Sequence, residues 1–262
     1  MAMTARKTAI VTGSTSGIGL ASARRLGAAG YNLVLNSFTD ASEDRALAES
    51  LAAEFGVEAL YVAADMSKGE DARRLVRDAA DAFGAVHVLV NNAGVQHVSP
   101  IESFPVNQWD RIIAINLTSA FHTTAVALPI MREAGFGRIV NIASAHGLRA
   151  SVNKSAYVAA KHGIVGLSKT TALETAGQGI TCNAVCPGFV LTPLVETQIE
   201  DLMAQKGLDR ETVVAEHVLR KQPSKEFATV DQIAGTVAFL CSDDAAQITG
   251  TTVSVDGGWT AQ

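Results

Sequence analysis

The sequence predicts an α/β fold, a doubly wound parallel sheet with helices on both faces. Three observations carry this expectation. Seven short, apolar, β-branched runs recur along the chain, at Thr8–Thr12, Asn32–Leu35, Ala59–Ala63, Val86–Val90, Arg138–Ile142, Ile180–Val185 and Thr252–Val255. They lack clean polar–apolar alternation, as strands buried on both faces do. Each of the first six is followed by a turn signal and a longer stretch with helical spacing of apolar residues, so strand–turn–helix repeats and implies βαβ crossovers. Length alone allows one or two domains for 262 residues. With no Pro/Ser-rich linker or low-complexity tract, a single domain over 1–262 is expected.

The first run opens into Thr12-Gly13-Ser14-Thr15-Ser16-Gly17-Ile18-Gly19, ahead of a helix expected to start near Leu20. Glycines let the backbone turn sharply and approach a pyrophosphate, and a helix N-terminus offers free N–H groups and a favourable dipole. The spacing GxxxGxG differs from the GxGxxG fingerprint, and a lone glycine loop is also compatible with a tight turn. Its place after a buried strand favours a nucleotide. The second run ends Leu35-Asn36-Ser37-Phe38. At this position dinucleotide folds set an acid against a ribose 2′-OH or an Arg against a 2′-phosphate. Asn36–Thr39 holds neither, Asp40 follows, and the glycine loop has no Lys or Arg. NAD is therefore expected over NADP, with Phe38 along the adenine or ribose.

After the third run, Asp65 reads either as an acceptor for an adenine amino group or as a helix-opening cap shared with Ser67; Met66 beside it joins the expected cofactor set. Ser67-Lys68-Gly69-Glu70 and Thr229-Val230-Asp231-Gln232 carry the capping-box pattern. Asn91-Asn92-Ala93-Gly94 follows the fourth run, at a strand carboxyl end where ligands of open α/β sheets bind. Thr192-Pro193 reads as N-cap then first helical residue. The most polar long stretch, Glu196–Phe227, is broken by Gly207-Leu208-Asp209. It fits a lid at about 190–222 or a solvated helical excursion equally well.

The chemistry concentrates in Ser144-Ala145-His146-Gly147 through Tyr157-Val158-Ala159-Ala160-Lys161. Tyr157 and Lys161, four apart, share a helix face. A nearby ammonium favours the phenolate, and Ser144, ending the fifth run, can hydrogen-bond the same substrate oxygen. Such a set exchanges a proton with a hydroxyl or carbonyl oxygen while a hydride moves at carbon.

TGxxxGxG, NNAG, Asn116, Ser144…Tyr157xxxLys161 and Pro187-Gly188 together resemble the short-chain dehydrogenase/reductase family over essentially the whole chain. The resemblance implies a Rossmann-type sheet of seven strands, Tyr157 as general acid/base and Ser144 as orienter of the substrate oxygen. It implies that Lys161 lowers the tyrosine pKa and holds the nicotinamide ribose, and that Asn116 holds a water in a proton relay. Pro187, Gly188 and Val190 would bracket the nicotinamide, with Thr192 near the carboxamide or pyrophosphate. The stretches from His146 to Gly163, Asn92 to His97 and Leu191 to Ile199 are similar to the D-3-hydroxybutyrate dehydrogenase branch. That branch implies Gln96, Gln198, His146 and Lys154 as donors to a substrate carboxylate. A small anion does need charge-assisted donors, and Lys154 lies three residues before Tyr157. One departure is Phe189, where the branch usually has Trp; the smaller ring keeps an apolar wall but lacks the indole N–H and some bulk, so either a slightly larger 3-hydroxy acid fits or hydroxybutyrate binds less tightly.

With 21 Lys+Arg against 26 Asp+Glu the net charge is −5, which argues against a broad nucleic-acid surface, and 5% aromatics leave little for base stacking. Absence of a basic run also disfavours a carrier-linked substrate, although a 3-oxoacyl thioester reductase or a sugar or alcohol dehydrogenase remains the alternative within the family. A non-catalytic dinucleotide sensor is the alternative outside enzymes. The start MAMTARKTAIVTG meets Gly13 too soon for a signal peptide, and no run of about 18 apolar residues suggests a membrane span. Three cysteines without zinc or redox spacing and six histidines without HExxH spacing point to a reduced, cytoplasmic protein with no metal centre. The resemblance implies a homotetramer, with Val253–Gln262 and the Tyr157 helix at interfaces.

Overall fold

A computed structural model describes residues 6–262; Met1–Ala5, the start of the stretch read above against a signal peptide, lie outside the described residues. The seven apolar runs become strands β1 (Thr8–Val11), β2 (Asn32–Ser37), β3 (Ala59–Ala63), β4 (Val88–Asn91), β5 (Gly137–Ile142), β6 (Ile180–Pro187) and β7 (Thr252–Val255). They form one sheet in the order β3-β2-β1-β4-β5-β6-β7, parallel throughout. The strand order reverses between β1 and β4, which opens a crevice at their carboxyl ends. Two strands run past their apolar residues. β2 continues through Asn36 because the buried amide donates to the carbonyls of Val62 and Ala64, both at 3.1 Å.

The connecting helices are α1 (Gly17–Ala28), α2 (Ser42–Phe55), α3 (Gly69–Phe83), α4 (Val106–Ile113), α5 (Ser119–Ala134), α6 (Ser155–Glu174), α7 (Pro193–Lys206), α8 (Arg210–Val213) and α9 (Val230–Cys241). Successive strand side chains point to opposite faces, so β1 feeds two cores. Ala9 and Val11 join Leu26, Leu33, Leu35, Ile233, Val237 and Leu240 under α1 and α9. Ile10 joins Val34, Leu75, Val76, Leu89, Leu128 and Met131 under α3 and α5. Ile10, Leu33, Leu35 and Leu89 have no exposed surface; truncating any one to alanine costs about 2–5 kcal/mol.

Local chemistry decides the helix ends. Thr229 and Gln232 form the expected capping box, with bonds of 3.1 and 2.9 Å. The box expected at Ser67 does not form: Lys68 is the N-cap, and the Ser67 hydroxyl donates to the Asp65 carboxylate at 2.8 Å instead. The Ser67 backbone N–H also donates to the same Asp65 oxygen, at 2.9 Å, so Asp65 holds this turn. α1 starts at Gly17, three residues before Leu20, so Gly17, Ile18 and Gly19 form its first turn. The polar stretch breaks where expected, at left-handed Gly207.

One helix among the described residues, Val106–Ala134, is long and apolar enough by composition to cross a membrane, with mean hydropathy 1.3. Its neutral polar residues escape a search for purely apolar runs. It packs against α3 and α6 and contains a π turn at Ala114–Thr118. Cys182, Cys186 and Cys241 are free and buried.

Candidate active site

The β1–α1 turn closes on itself through side-chain amides. Gly13 adopts φ +60° and Gly17 φ +54°. Gly13 N–H donates to Asn36 Oδ1 at 3.2 Å, and Asn92 Nδ2 donates to the carbonyls of Thr12 and Gly13, both at 2.9 Å. Thr12 Oγ1 accepts from the backbone N–H groups of Asn92 and Ala93 at 2.9 and 3.0 Å. Gly19 lies so close beneath that a Cβ there would stand 2.2 Å from Gly13 O and 2.5 Å from Asn92 Nδ2. Ser16, the N-cap of α1, makes no side-chain capping bond, so the first-turn N–H groups remain available to an anion.

This turn faces a cavity of ≈ 770 Å³ at the strand carboxyl ends, within the range for small-molecule and cofactor sites. Gly13, Thr15, Ser16, Gly17, Ile18, Phe38, Asp65, Met66, Asn92, Ala93, Gly94, Tyr157, Lys161, Pro187, Gly188, Val190 and Thr192 all line it. Of the expected cofactor residues only Gly19 lies behind the lining. Gly188 is a second close approach, its Cβ direction 2.4 Å from Gln222 Oε1 and 2.8 Å from Asp256 Cα. At the β2 end Phe38 is 76% exposed, and Asp40 is paired with Arg45. Burial works to raise the pKa of Asp65, but hydrogen bonds from Ser67 and the charges of Lys68 and Arg111 bring it below its ordinary value. A dinucleotide fits this donor set: free N–H groups for the pyrophosphate, an apolar ring and a carboxylate for the adenosine.

Deeper in the cavity, Ser144 follows β5 and its Oγ accepts from His146 N–H at 3.1 Å. Asn153, left-handed at φ +62°, turns the chain into α6, whose first turn carries Tyr157 one helical turn before Lys161. Lys161 is buried and donates to Ile142 O at 2.6 Å, its Nζ 5.6 Å from the Tyr157 ring centre. Burial pulls the Lys161 ammonium down to about 8. Burial raises the Tyr157 phenol above its ordinary value, opposed by its hydrogen bond with Ser144. The Lys161 ammonium is turned to the Ile142 carbonyl and not hydrogen-bonded to the phenol. Asn116 sits in the π turn and clamps Val95 from both sides, accepting from its N–H and donating to its C=O at 2.9 Å each. That fixes the loop between Gly94 and Gln96.

The residues expected at a substrate lie beyond Ser144 and Tyr157 and touch one another. Gln96 Nε2 and Lys154 Nζ both donate to Gln198 Oε1, at 3.1 and 3.4 Å. Lys154 Nζ lies 5.7 Å over the Phe189 ring. Burial, then the charge of Lys221, brings Lys154 down to about 8. His146 is buried, its ring 5.8 Å from that of Tyr157. Burial, with Lys154 and Lys221 adding to it, drives His146 down to about 3.

Sequence reading missed the wall behind these groups. Trp259 stacks on Phe189 at 5.4 Å and 3°, and meets His146 edge-on at 5.0 Å. Gln222 Oε1 accepts from Phe189 N–H at 3.1 Å. Trp259 is one of only two tryptophans in the chain, which was a signal; Gln222 gave none. Among the described residues no group of three or more His, Cys, Asp or Glu is placed to hold a metal ion.

A family profile described as enoyl-(acyl carrier protein) reductase matches residues 13–260. The D-beta-hydroxybutyrate dehydrogenase of Rhizobium meliloti is 57% identical over 256 residues, covering 98% of this chain and 99% of that protein. The protein of the same name from Cupriavidus necator is 55% identical, covering 98% of each. Among solved structures, a variant of actinorhodin polyketide ketoreductase with NADPH superposes with a TM-score of 0.92 at 35% identity, covering 100% of both chains.

Proposed function

The chain belongs to the short-chain dehydrogenase/reductase family, and from that premise we propose that it interconverts (R)-3-hydroxybutyrate and acetoacetate with NAD. The observation that carries the substrate is the joined set Gln96, Gln198 and Lys154 beside Ser144 and Tyr157, which offers one ammonium and two amides to a small carboxylate. Gly13 and the first turn of α1 would hold the pyrophosphate, Phe38, Asp65 and Met66 the adenosine, and Asn92, Ala93 and Gly94 the turn between them. Pro187, Gly188, Val190 and Thr192 would hold the nicotinamide end, with Lys161 on its ribose. When bound, the dinucleotide supplies the hydride acceptor or donor.

Tyr157 gives its phenolic proton to the carbonyl oxygen as acetoacetate is reduced and, as the phenolate, takes the hydroxyl proton as hydroxybutyrate is oxidised. Ser144 donates a hydrogen bond to the same oxygen and orients it. Lys154 neutralises the carboxylate, Gln96 and Gln198 complete its donors, and Phe189 walls the methyl side. Because Gln198 lies on α7, a lid at 190–222 on the single domain closes by touching substrate, excluding water before transfer. NAD is the better partner because the end of β2 presents Phe38 and an already paired Asp40 rather than a free cation to a 2′-phosphate.

A spectrophotometric assay across (R)- and (S)-3-hydroxy acids of increasing length tests the reading. The expected result is turnover of (R)-3-hydroxybutyrate, with slightly longer acids accepted beside Phe189. Turnover of an uncharged alcohol or sugar, with hydroxybutyrate ignored, refutes it. A tenfold preference for NADP in kcat/KM refutes the cofactor assignment. We place the protein in the cytoplasm as a homotetramer on family resemblance; light scattering checks the assembly.

A further inference from the structure

Both ring nitrogens of His146 are occupied, and neither partner is a substrate group. Nδ1 lies 3.4 Å from Ser144 Oγ and Nε2 3.0 Å from Ser151 Oγ. Ser151 Oγ in turn accepts a hydrogen bond from Lys221 Nζ at 3.2 Å. Four side chains thus form a line from the exposed end of the 190–222 segment to the catalytic serine.

Counting protons gives the line a direction. An ammonium only donates, whereas a hydroxyl has one proton and two lone pairs. Lys221 therefore takes one lone pair of Ser151, and the N–H dipole of a neutral Nε2–H aimed at the same oxygen would point its positive end towards the ammonium. The Ser151 proton pointing at Nε2 avoids this and leaves Nδ1 with the ring proton. The other end agrees. Ser144 Oγ already accepts from His146 N–H at 3.1 Å. If its single proton also went to Nδ1, none would remain for the oxygen of Tyr157 or of a substrate.

We infer that Ser151 and Lys221 are positioning residues that fix His146 as its Nδ1–H tautomer and so keep the Ser144 hydroxyl a donor to the reacting oxygen. The surroundings are built to hold this arrangement. The Trp259 edge and the Tyr157 ring fix the imidazole plane. The Lys221 carbonyl accepts from Gln262 Nε2 at 3.0 Å, and Arg149 holds the Gln262 carbonyl. Burial and the charges of Lys154, Lys221 and His162 keep the imidazole neutral, so that a tautomer choice exists. His146 thereby acts through Ser144. The kinetic consequence rests on the function proposed above; the tautomer does not.

The test is side-chain NMR of the full chain labelled with 15N-histidine, without substrate, with His146 assigned from His146→Gln. Wild type is expected to show the Nδ1–H tautomer. Lys221→Met, at an exposed position that leaves the fold intact, is expected to shift it towards Nε2–H and lower kcat about fivefold, the worth of one net hydrogen bond. KM for hydroxybutyrate and the Kd for NADH stay within twofold, and Lys221→Arg restores tautomer and kcat. Ser151→Ala repeats the loss at the middle link. An Nε2–H tautomer in wild type overturns the inference, as does Lys221→Met with an unchanged tautomer. If hydroxybutyrate proves not to be turned over while the tautomer still responds to Lys221→Met, the substrate reading fails and this inference stands.

Discussion

Gly19→Ala separates close approach from backbone freedom as the reason for a glycine. The new methyl would meet Gly13 O at 2.2 Å, the Gly13 carbonyl carbon at 2.9 Å and Asn92 Nδ2 at 2.5 Å. Two of these are backbone atoms and the third, a side-chain amide, is tied to the Thr12 and Gly13 carbonyls, so the turn itself must move. Overpacking of this kind costs about 1–3 kcal/mol. Displacing Asn92 also weakens its two 2.9 Å bonds to Thr12 and Gly13, about 1 kcal/mol each. The expected loss is about 2–5 kcal/mol, a fall in Tm of roughly 5–15 °C for a chain of this size. Because the moved carbonyl lies in the loop proposed to take the pyrophosphate, the Kd for NADH should rise about 30-fold or more, equivalent to about 2 kcal/mol. Gly30→Ala is the control: its φ is +85° but nothing lies within 4 Å of the added methyl, so it carries only the left-handed cost of about 1–2 kcal/mol. Thermal denaturation by circular dichroism and fluorescence titration with NADH read both variants. If Gly19→Ala melts within about 2 °C of Gly30→Ala and binds NADH like wild type, the close-approach reasoning is wrong.

Tyr157→Phe keeps the ring against His146 and removes only the proton carrier; kcat should fall at least about 10²-fold while the Kd for NADH stays within twofold, and near-wild-type turnover would refute the role. Lys154→Ala should raise KM for hydroxybutyrate by about 10–100-fold through loss of a charged hydrogen bond, and Gln198→Ala by about fivefold; steady-state kinetics with KM unchanged in both removes the anion pocket. The Lys154 ammonium, brought down to about 8 by burial and Lys221, is competent only when protonated. kcat/KM for hydroxybutyrate should therefore lose up to about tenfold per pH unit above 8, some two units before an ordinary lysine titrates, with Lys154→Arg holding KM flat across the same range.

The strands were legible because burial on both faces leaves uninterrupted β-branched runs: β3 and β7 coincide with theirs, and β4 is displaced by only two residues. What displaced boundaries was polar chemistry with an unseen partner. β2 extends because Asn36 finds carbonyls on β3 and just after it, and Ser67 turns both its N–H and its hydroxyl to Asp65 instead of capping a helix. Motif residues of the site were legible in the same way, since Gly13 to Gly19 and Tyr157 to Lys161 are local patterns set by a turn and a helix. Trp259, Gln222, Ser151 and Lys221 were not. Ser151 meets His146 across five residues of irregular loop, and the others meet His146, Phe189 or Ser151 across tens to over a hundred residues; no periodicity encodes either kind of contact. Even the tyrosine environment was half hidden: the spacing gave Lys161 its place on the helix, but only the fold shows that its ammonium is turned to Ile142 O.

The site is acidic protein turned inside out. A chain of net charge −5 gathers Lys154 and Lys221 near a neutral His146 and Lys161 beside Tyr157, and burial pulls Lys154 and Lys161 to about 8. Lys154 is held below its ordinary value first by lost hydration and then by the like charge of Lys221. A bound carboxylate reverses both effects, because an opposite charge favours the ammonium. By linkage, an anion that raises the Lys154 pKa must take up protons as it binds. At pH 8, where the free group is about half protonated, uptake should approach about half a proton per site; at pH 6.5 the group is already charged and uptake should be close to zero. Calorimetry on Tyr157→Phe saturated with NAD measures this without turnover, titrating hydroxybutyrate in buffers of different ionisation enthalpy. The heats should diverge between buffers at pH 8, converge at pH 6.5, and cease to diverge in Tyr157→Phe/Lys154→Met. Equal heats in both buffers at pH 8 would mean that the carboxylate does not meet Lys154, and the anion pocket would have to be sought elsewhere.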